Sequence, residues 1–158
     1  MSHAPATGPD RDAASERPLK AQRILVAGGG IGGLTTALSL LRQGFQVDLF
    51  EGARAWTEVG AGVTLAPNAM LGLQYLGLGA AIEASGMEPH AQEIRHWEDG
   101  RVLRRLERGG EMRERYGAPY LYMHRADLHQ ILVGAVEAAG GRLHLNAPVT
   151  AVEHSASG

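Results

Sequence analysis

The sequence contains no cysteine, which excludes disulfide frameworks, thiolate metal sites and cysteine nucleophiles. It has little net charge: 15 basic against 17 acidic residues give a formal charge of −2. Neither nucleic acid nor an anionic membrane meets a cationic counterpart here, so a small-molecule partner is expected instead. The first twenty residues hold Pro, Ser, Asp and Arg but no apolar run of the kind a secretory signal or membrane-spanning helix needs. Residues 1–20 are expected to be a disordered tail, and the cysteine-free composition is compatible with a cytoplasmic protein.

What is present describes a folded domain. The 158 residues are 44% hydrophobic and 20% charged, unlike a disordered chain. A chain of this length buries about 70% of its unfolded surface around one core. The apolar run Arg23 to Ala27 reads as a parallel strand buried on both faces. Ile31 to Gln43 follows as a helix, with Leu34, Ala37, Leu38 and Leu41 at helical spacing and Gly44 placed to end it. Phe45 to Phe50 returns as a second strand. After a loop through Gly60 and Gly62, Pro67 opens a short helix carrying Met70, Leu73 and Leu76. Glu93 to Glu98 and Arg101 to Leu106 flank Asp99-Gly100, which predicts an antiparallel hairpin with a two-residue turn. Tyr120 to His124 reads as a strand feeding a helix striped by Leu128, Ile131, Leu132, Ala135 and Val136. Arg142 to Leu145 and Val149 to Glu153 are further strand candidates. The expected class is α/β, a Rossmann-like βαβ fold with a parallel sheet and an inserted antiparallel hairpin.

Gly28-Gly29-Gly30-Ile31-Gly32-Gly33 stands between the first strand and the first helix, the context that gives the Gly-x-Gly-x-x-Gly pattern meaning. Gly28 permits the tight turn, Gly30 lets backbone approach a pyrophosphate, and Gly33 lets helix and strand pack closely. Unpaired amides at the helix start then hold the anionic oxygens. Glu51 ends the second strand at about the 20-residue offset from which an acid reaches ribose hydroxyls, and it would repel a 2′-phosphate. A plain tight turn with a solvated acid accounts for the residues singly but not for their joint placement. FAD and NAD both offer an ADP half to such a cradle, and the motif leaves both open.

Two later stretches separate them. Glu58-Val59-Gly60-Ala61-Gly62-Val63, followed by Ala66-Pro67-Asn68-Ala69, resembles the flavoprotein aromatic hydroxylases, the single-component FAD monooxygenases. Arg115-Tyr116-Gly117-Ala118-Pro119-Tyr120, leading into His124-Arg125-Ala126-Asp127-Leu128-His129, is similar to the salicylate and 3-hydroxybenzoate hydroxylase branch. The resemblance runs from about Ala21 onward and implies FAD as cofactor. It places Gly28, Gly30, Ile31, Gly32 and Gly33 along the pyrophosphate, Glu51 on the adenosine ribose, Arg125 on FAD, Gly62 and Val63 near the flavin ring, and Val149 beside the adenine. For Arg125 the alternative is a surface ion pair with Asp127 or Glu51; for Gly60 to Val63 it is a plain loop; for Val149 it is an ordinary buried strand.

The reaction the resemblance implies is hydroxylation of a phenolic aromatic acid at the expense of O2 and NADH or NADPH. No catalytic residue is assigned. His124 and His129 are five apart and lack a completing acid or cysteine cluster, so no metal site is expected. Trp97 and Arg95 read as packing and solvated-face residues. The family continues into a later Asp-Gly stretch and a Gly-Asp stretch that have no counterpart after residue 128 of this sequence, so residues 21–158 read as the N-terminal part of an FAD-binding domain, truncated relative to the family and not expected to hydroxylate alone. An exposed sheet edge, inviting self-association, is a further expectation. Two other classes stay open: a non-catalytic dinucleotide-binding module and an NAD-dependent dehydrogenase fragment.

Overall fold

The computed structural model describes residues 22–56 and 60–153; the expected N-terminal tail, and Glu58 and Val59 of the hydroxylase-like stretch, lie outside them. Strand β1 (Arg23–Ala27) leads through the glycine turn into helix α1 (Ile31–Arg42) and back into strand β2 (Gln46–Phe50). β1 and β2 pair in parallel, with Arg23 opposite Gln46 and Ala27 opposite Phe50. The helix ends as its sequence requires. Gly44 takes φ +91°, and its N–H and that of Phe45 donate to the carbonyls of Leu41 and Leu40 at 2.9 and 3.2 Å.

Beyond this βαβ unit lie β3 (Gly62–Leu65), α2 (Pro67–Tyr75), α3 (Gly79–Ser85), β4 (Ala91–Arg95), β5 (Val102–Glu107), α4 (Gly110–Tyr116), β6 (Leu121–His124), α5 (Arg125–Ala138) and β7 (Arg142–His144). β7 joins the sheet parallel to β2, giving the order β1-β2-β7. β3 and β6 form an antiparallel pair, and β4 and β5 a separate hairpin. Among the described residues no helix is long and apolar enough to cross a membrane.

The core lies between one sheet face and helices α1 and α5. Val47 and Leu49 from β2 meet Leu34, Ala37 and Leu38 from α1 and Leu128, Leu132, Val133 and Val136 from α5, all buried. The α5 stripe is turned slightly from the predicted one. Val133 and His129 are buried where Ile131 and Ala135 were expected, and these two are only partly buried.

Several expectations are corrected. β1 is half-buried on one face, through Ile24 and Val26, and exposed on the other: Leu25 is 64% exposed, because no described element covers the side of the sheet opposite the helices. Gly62 and Val63 belong to a strand, not a loop, since Gly62 and Val63 pair with His124 and Met123. The hairpin forms, but its turn is longer than two residues. Gly100 has φ +70° while Asp99 does not enter the left-handed region, and His96 and Arg101 close the turn through the His96 N–H to Arg101 carbonyl bond of 2.8 Å. Trp97 at its tip is 86% exposed and packs into no core. Val149 to Glu153 forms no strand, having no described partner to pair with.

On the open face of the sheet sits a buried acid that the strand pattern did not announce. Asp48 has no exposed surface, and it accepts hydrogen bonds from Arg23 Nε at 2.6 Å, a terminal guanidinium nitrogen of Arg142 at 2.8 Å and His144 Nε2 at 2.8 Å. One carboxylate thus ties β1, β2 and β7 together. The Arg23 hydrogen bond, outweighing the opposing effect of burial and aided by His144 and Arg142, holds its carboxyl far below the usual carboxylate range. A folded pKa below the unfolded value means that this contribution to stability is fully present above about pH 4 and drains away as pH falls toward the folded value. Asp48→Asn is therefore expected to lower Tm at pH 7 by roughly 5 °C or more. In urea unfolding across pH 2–7, the variant's acid limb should be shallower than wild type's; parallel limbs would contradict this role.

Candidate functional site: a dinucleotide cradle

The glycine turn has the geometry its sequence demands. Gly28 adopts φ +95°, a left-handed conformation that costs a side-chain-bearing residue energy, and its N–H donates to Phe50 O at 2.8 Å. A Cβ built on Gly33 would stand 1.9 Å from the Gly28 carbonyl oxygen, so α1 can start against the turn only because residue 33 lacks one. Gly30 is different. Its φ of −72° and ψ of 177° suit any residue, and a Cβ there would meet nothing within 4 Å. Nothing in the chain itself requires glycine at this position, and a side chain there would enter open space.

That space faces the start of α1, which has no side-chain cap and no acid in its first turn. The first intrahelical bond is Leu34 N–H to Gly30 O at 3.0 Å, so the amides of Ile31, Gly32 and Gly33 precede the ladder. Such amides and the helix dipole favour an anion, and a pyrophosphate fits the cradle.

Glu51 stands at the end of β2. One carboxylate oxygen accepts the Gly29 N–H at 2.6 Å, and the other accepts the Ala53 N–H at 2.8 Å. These two backbone bonds, Ala53's first, hold the carboxyl below its usual value, so it is ionised at neutral pH. A carboxylate offers about four acceptor positions; two are used, and the remainder suit a diol such as a ribose. Gly29, Gly30, Glu51, Ala53, Ala55, Trp56 and His129 line a cavity of about 150 Å³ beside the turn. This is smaller than the roughly 300 Å³ at which whole-ligand pockets begin, so it fits part of a dinucleotide.

The segment carrying Val149 is drawn to the same edge. Asn146 and Ala147 donate to the carbonyls of Ala53 and Glu51, both at 2.8 Å, which leaves Val149, 49% exposed, two residues beyond the bonded pair. Gly60 to Val63 and Arg125, far apart in sequence, meet each other. The Arg125 N–H donates to Ala61 O at 3.3 Å, and a Cβ on Gly60 would lie 3.1 Å from Arg125 Cβ. Arg125 is one turn before His129 on α5, so both occupy one helix face.

Four lining residues escaped the sequence reading: Ala53, Ala55, Trp56 and His129. His129 is only 3% exposed and its Nε2 lies 2.7 Å from the Gly29 carbonyl oxygen. Trp56 packs against it with ring centroids 5.5 Å apart. A polar residue inside the apolar stripe of α5 was the available signal. His124, by contrast, is exposed at the end of β6, and among the described residues no group of three or more His, Cys, Asp or Glu gathers as a metal shell.

A parallel βαβ unit with a glycine turn, an uncapped helix start and an acid closing the second strand defines a dinucleotide-binding domain. The family described as FAD binding domain matches residues 21–158, and the chain belongs to it. Its cofactor is FAD, which closes the NAD-dehydrogenase alternative. The chain is 45% identical over 136 residues to the 3-amino-4-hydroxybenzoate 2-monooxygenase of Streptomyces platensis, covering 86% of this chain and 34% of that one. It is 41% identical over 115 residues to the 3-hydroxybenzoate 6-hydroxylase of Polaromonas naphthalenivorans, covering 72% and 29%. Among solved structures, a tetrameric form of 2-methyl-3-hydroxypyridine-5-carboxylic acid oxygenase superposes with a TM-score of 0.75 at 28% identity, covering 85% of this chain and 34% of that one. The chain thus spans about a third of the length of the curated relatives it matches.

Proposed function

We propose that this chain supplies the FAD-binding part of a flavoprotein monooxygenase that hydroxylates a phenolic aromatic acid, drawing electrons from NADH or NADPH and oxygen from O2. The observation that carries the proposal is the cradle: Gly33 closed on Gly28, open space at Gly30, and Glu51 ionised beside both. The ring chemistry is supported by the relatives, whose names share a hydroxylated ring bearing a carboxylate. When bound, FAD supplies the redox chemistry; the chain's own residues bind and orient it.

In this proposal the amides of Gly30, Ile31, Gly32 and Gly33 hold the pyrophosphate, while Gly28 shapes the turn. Glu51 takes the adenosine ribose and Val149 edges the adenine. Arg125 offers forked, charge-assisted hydrogen bonds to phosphate or the ribityl chain. Gly62 and Val63 bring backbone close to the flavin ring. A cytoplasmic setting belongs to the same proposal and is compatible with the cysteine-free composition. β1 and β7 end the described sheet, and an unpaired edge there supports self-association; light scattering of the purified chain tests this, and a monomer at micromolar concentration would oppose it.

The activity is tested with the complete protein, loaded with FAD and given NADH or NADPH, O2 and a panel of hydroxybenzoates. One panel member should stimulate nicotinamide oxidation severalfold and appear as a product with one added oxygen atom. Nicotinamide oxidation that no phenolic acid stimulates, with no hydroxylated product, would count against the proposal.

A further inference from the structure

The peptide joining Gly29 to Gly30 lies between the two residues least able to fix its orientation, since glycine on both sides leaves its flanking torsions permissive. Yet both faces of Gly29 are held. Its N–H donates to Glu51 at 2.6 Å, and its carbonyl oxygen lies 2.7 Å from Nε2 of His129, a residue 100 positions away on α5. A carbonyl oxygen only accepts, so Nε2 carries the proton of this bond. The imidazole is 3% exposed and its Nδ1 has no hydrogen-bond partner among the described residues. A purely packing role would be served by an aliphatic side chain without burying an unpartnered nitrogen.

The planarity of the peptide supplies the consequence. In a trans peptide the C=O and the following N–H point in opposite directions. Drawing the Gly29 carbonyl inward onto His129 therefore aims the Gly30 N–H outward, toward the open side of the turn. We propose that His129 is a positioning residue for the cofactor site: its hydrogen bond to Gly29 presets the Gly29–Gly30 peptide so that the Gly30 amide faces the pyrophosphate before the nucleotide arrives. With Glu51 on the N–H side, it makes a clamp from β2 to α5 across the glycine turn. The inference rests on the FAD reading of the cradle.

Preorganisation has a kinetic signature. If removing the clamp leaves only a fraction of molecules with the peptide correctly turned, the apparent affinity falls by that fraction, and the loss appears in association. The test is stopped-flow quenching of FAD fluorescence by the apoprotein, with thermal unfolding of each variant as the control for folding. His129→Leu removes the donor and is expected to lower the association rate about tenfold, with dissociation within about twofold of wild type. His129→Gln places an amide N–H near the Nε2 position and should keep association within about twofold. His129→Asn carries the same amide one bond shorter and should behave like His129→Leu, which keeps a comparison between two polar variants should the leucine protein not fold. Association of His129→Leu or His129→Asn at the wild-type rate, or of His129→Gln as slowly as the other two, would overturn the role of His129 while leaving FAD binding intact. A wild-type protein that quenches no FAD fluorescence would instead remove the FAD reading, and this inference with it.

Discussion

Gly30→Val is expected to abolish FAD binding while leaving the fold standing. The backbone at residue 30 is extended, at φ −72° and ψ 177°, which valine adopts without strain. A Cβ there meets no atom of the chain within 4 Å. The branched side chain projects into the space in front of α1 and occupies the volume a phosphate needs, while also separating the anion from the helix amides. Losing even two charge-assisted hydrogen bonds at about 1.5–3 kcal/mol each weakens binding by at least 100-fold. Thermal unfolding should shift by no more than about 2 °C, as for a surface substitution. A folded variant with wild-type FAD affinity, measured by fluorescence quenching, would reject the placement of the pyrophosphate.

Gly33→Ala is expected to damage binding and fold together. The added methyl would stand 1.9 Å from the Gly28 carbonyl oxygen and 3.0 Å from its carbon, both backbone atoms that move only with β1's turn or the start of α1. Overpacking of this kind costs about 1–3 kcal/mol or more, a fall in Tm of roughly 5–10 °C for a domain of this size. Because the relief comes from shifting α1 away from the turn, the amides lose their aim and FAD affinity falls at least tenfold. The contrast between the two glycines is the informative part. In the proposed placement Gly30 answers to a ligand and Gly33 to the chain, and a result in which the two variants lose stability equally would contradict that division.

These assignments separate what the sequence could show from what only folding brings together. β1, α1 and β2 were legible almost to the residue, because an apolar run, a helical stripe and glycines at Gly28 and Gly44 punctuate them locally. α3 and α4 were not. α4 buries no residue and so has no stripe, and α3 is seven residues long. β3 was hidden by Gly60 and Gly62, which read as loop residues until β6 supplies the partner strand. The hairpin was placed correctly, but the tip took a longer closed turn because Asp99 stays outside the left-handed region.

In the site, the glycines and Glu51 are close in sequence and their spacing carries the chemistry. The groups that hold them in place are not close. Asp48 was hidden inside an apolar strand, and its three partners come from β1 and β7. His129 lacks the companions of a metal ligand; its contact is with a backbone carbonyl 100 residues earlier, which no local pattern encodes. The resemblance of the Gly60 and Arg125 stretches to aromatic hydroxylases identified the ligand, and the fold explains why the two stretches belong together: Ala61 and Arg125 share a backbone hydrogen bond.

The central claim is that this cradle holds FAD, and it is tested most directly by the flavin content of the purified protein. The account predicts a yellow protein with a flavin absorbance band, releasing on denaturation close to one FAD per chain, or taking up FAD when supplied to the apoprotein. A folded protein that carries no flavin, takes up none, and binds NAD tightly instead would contradict it.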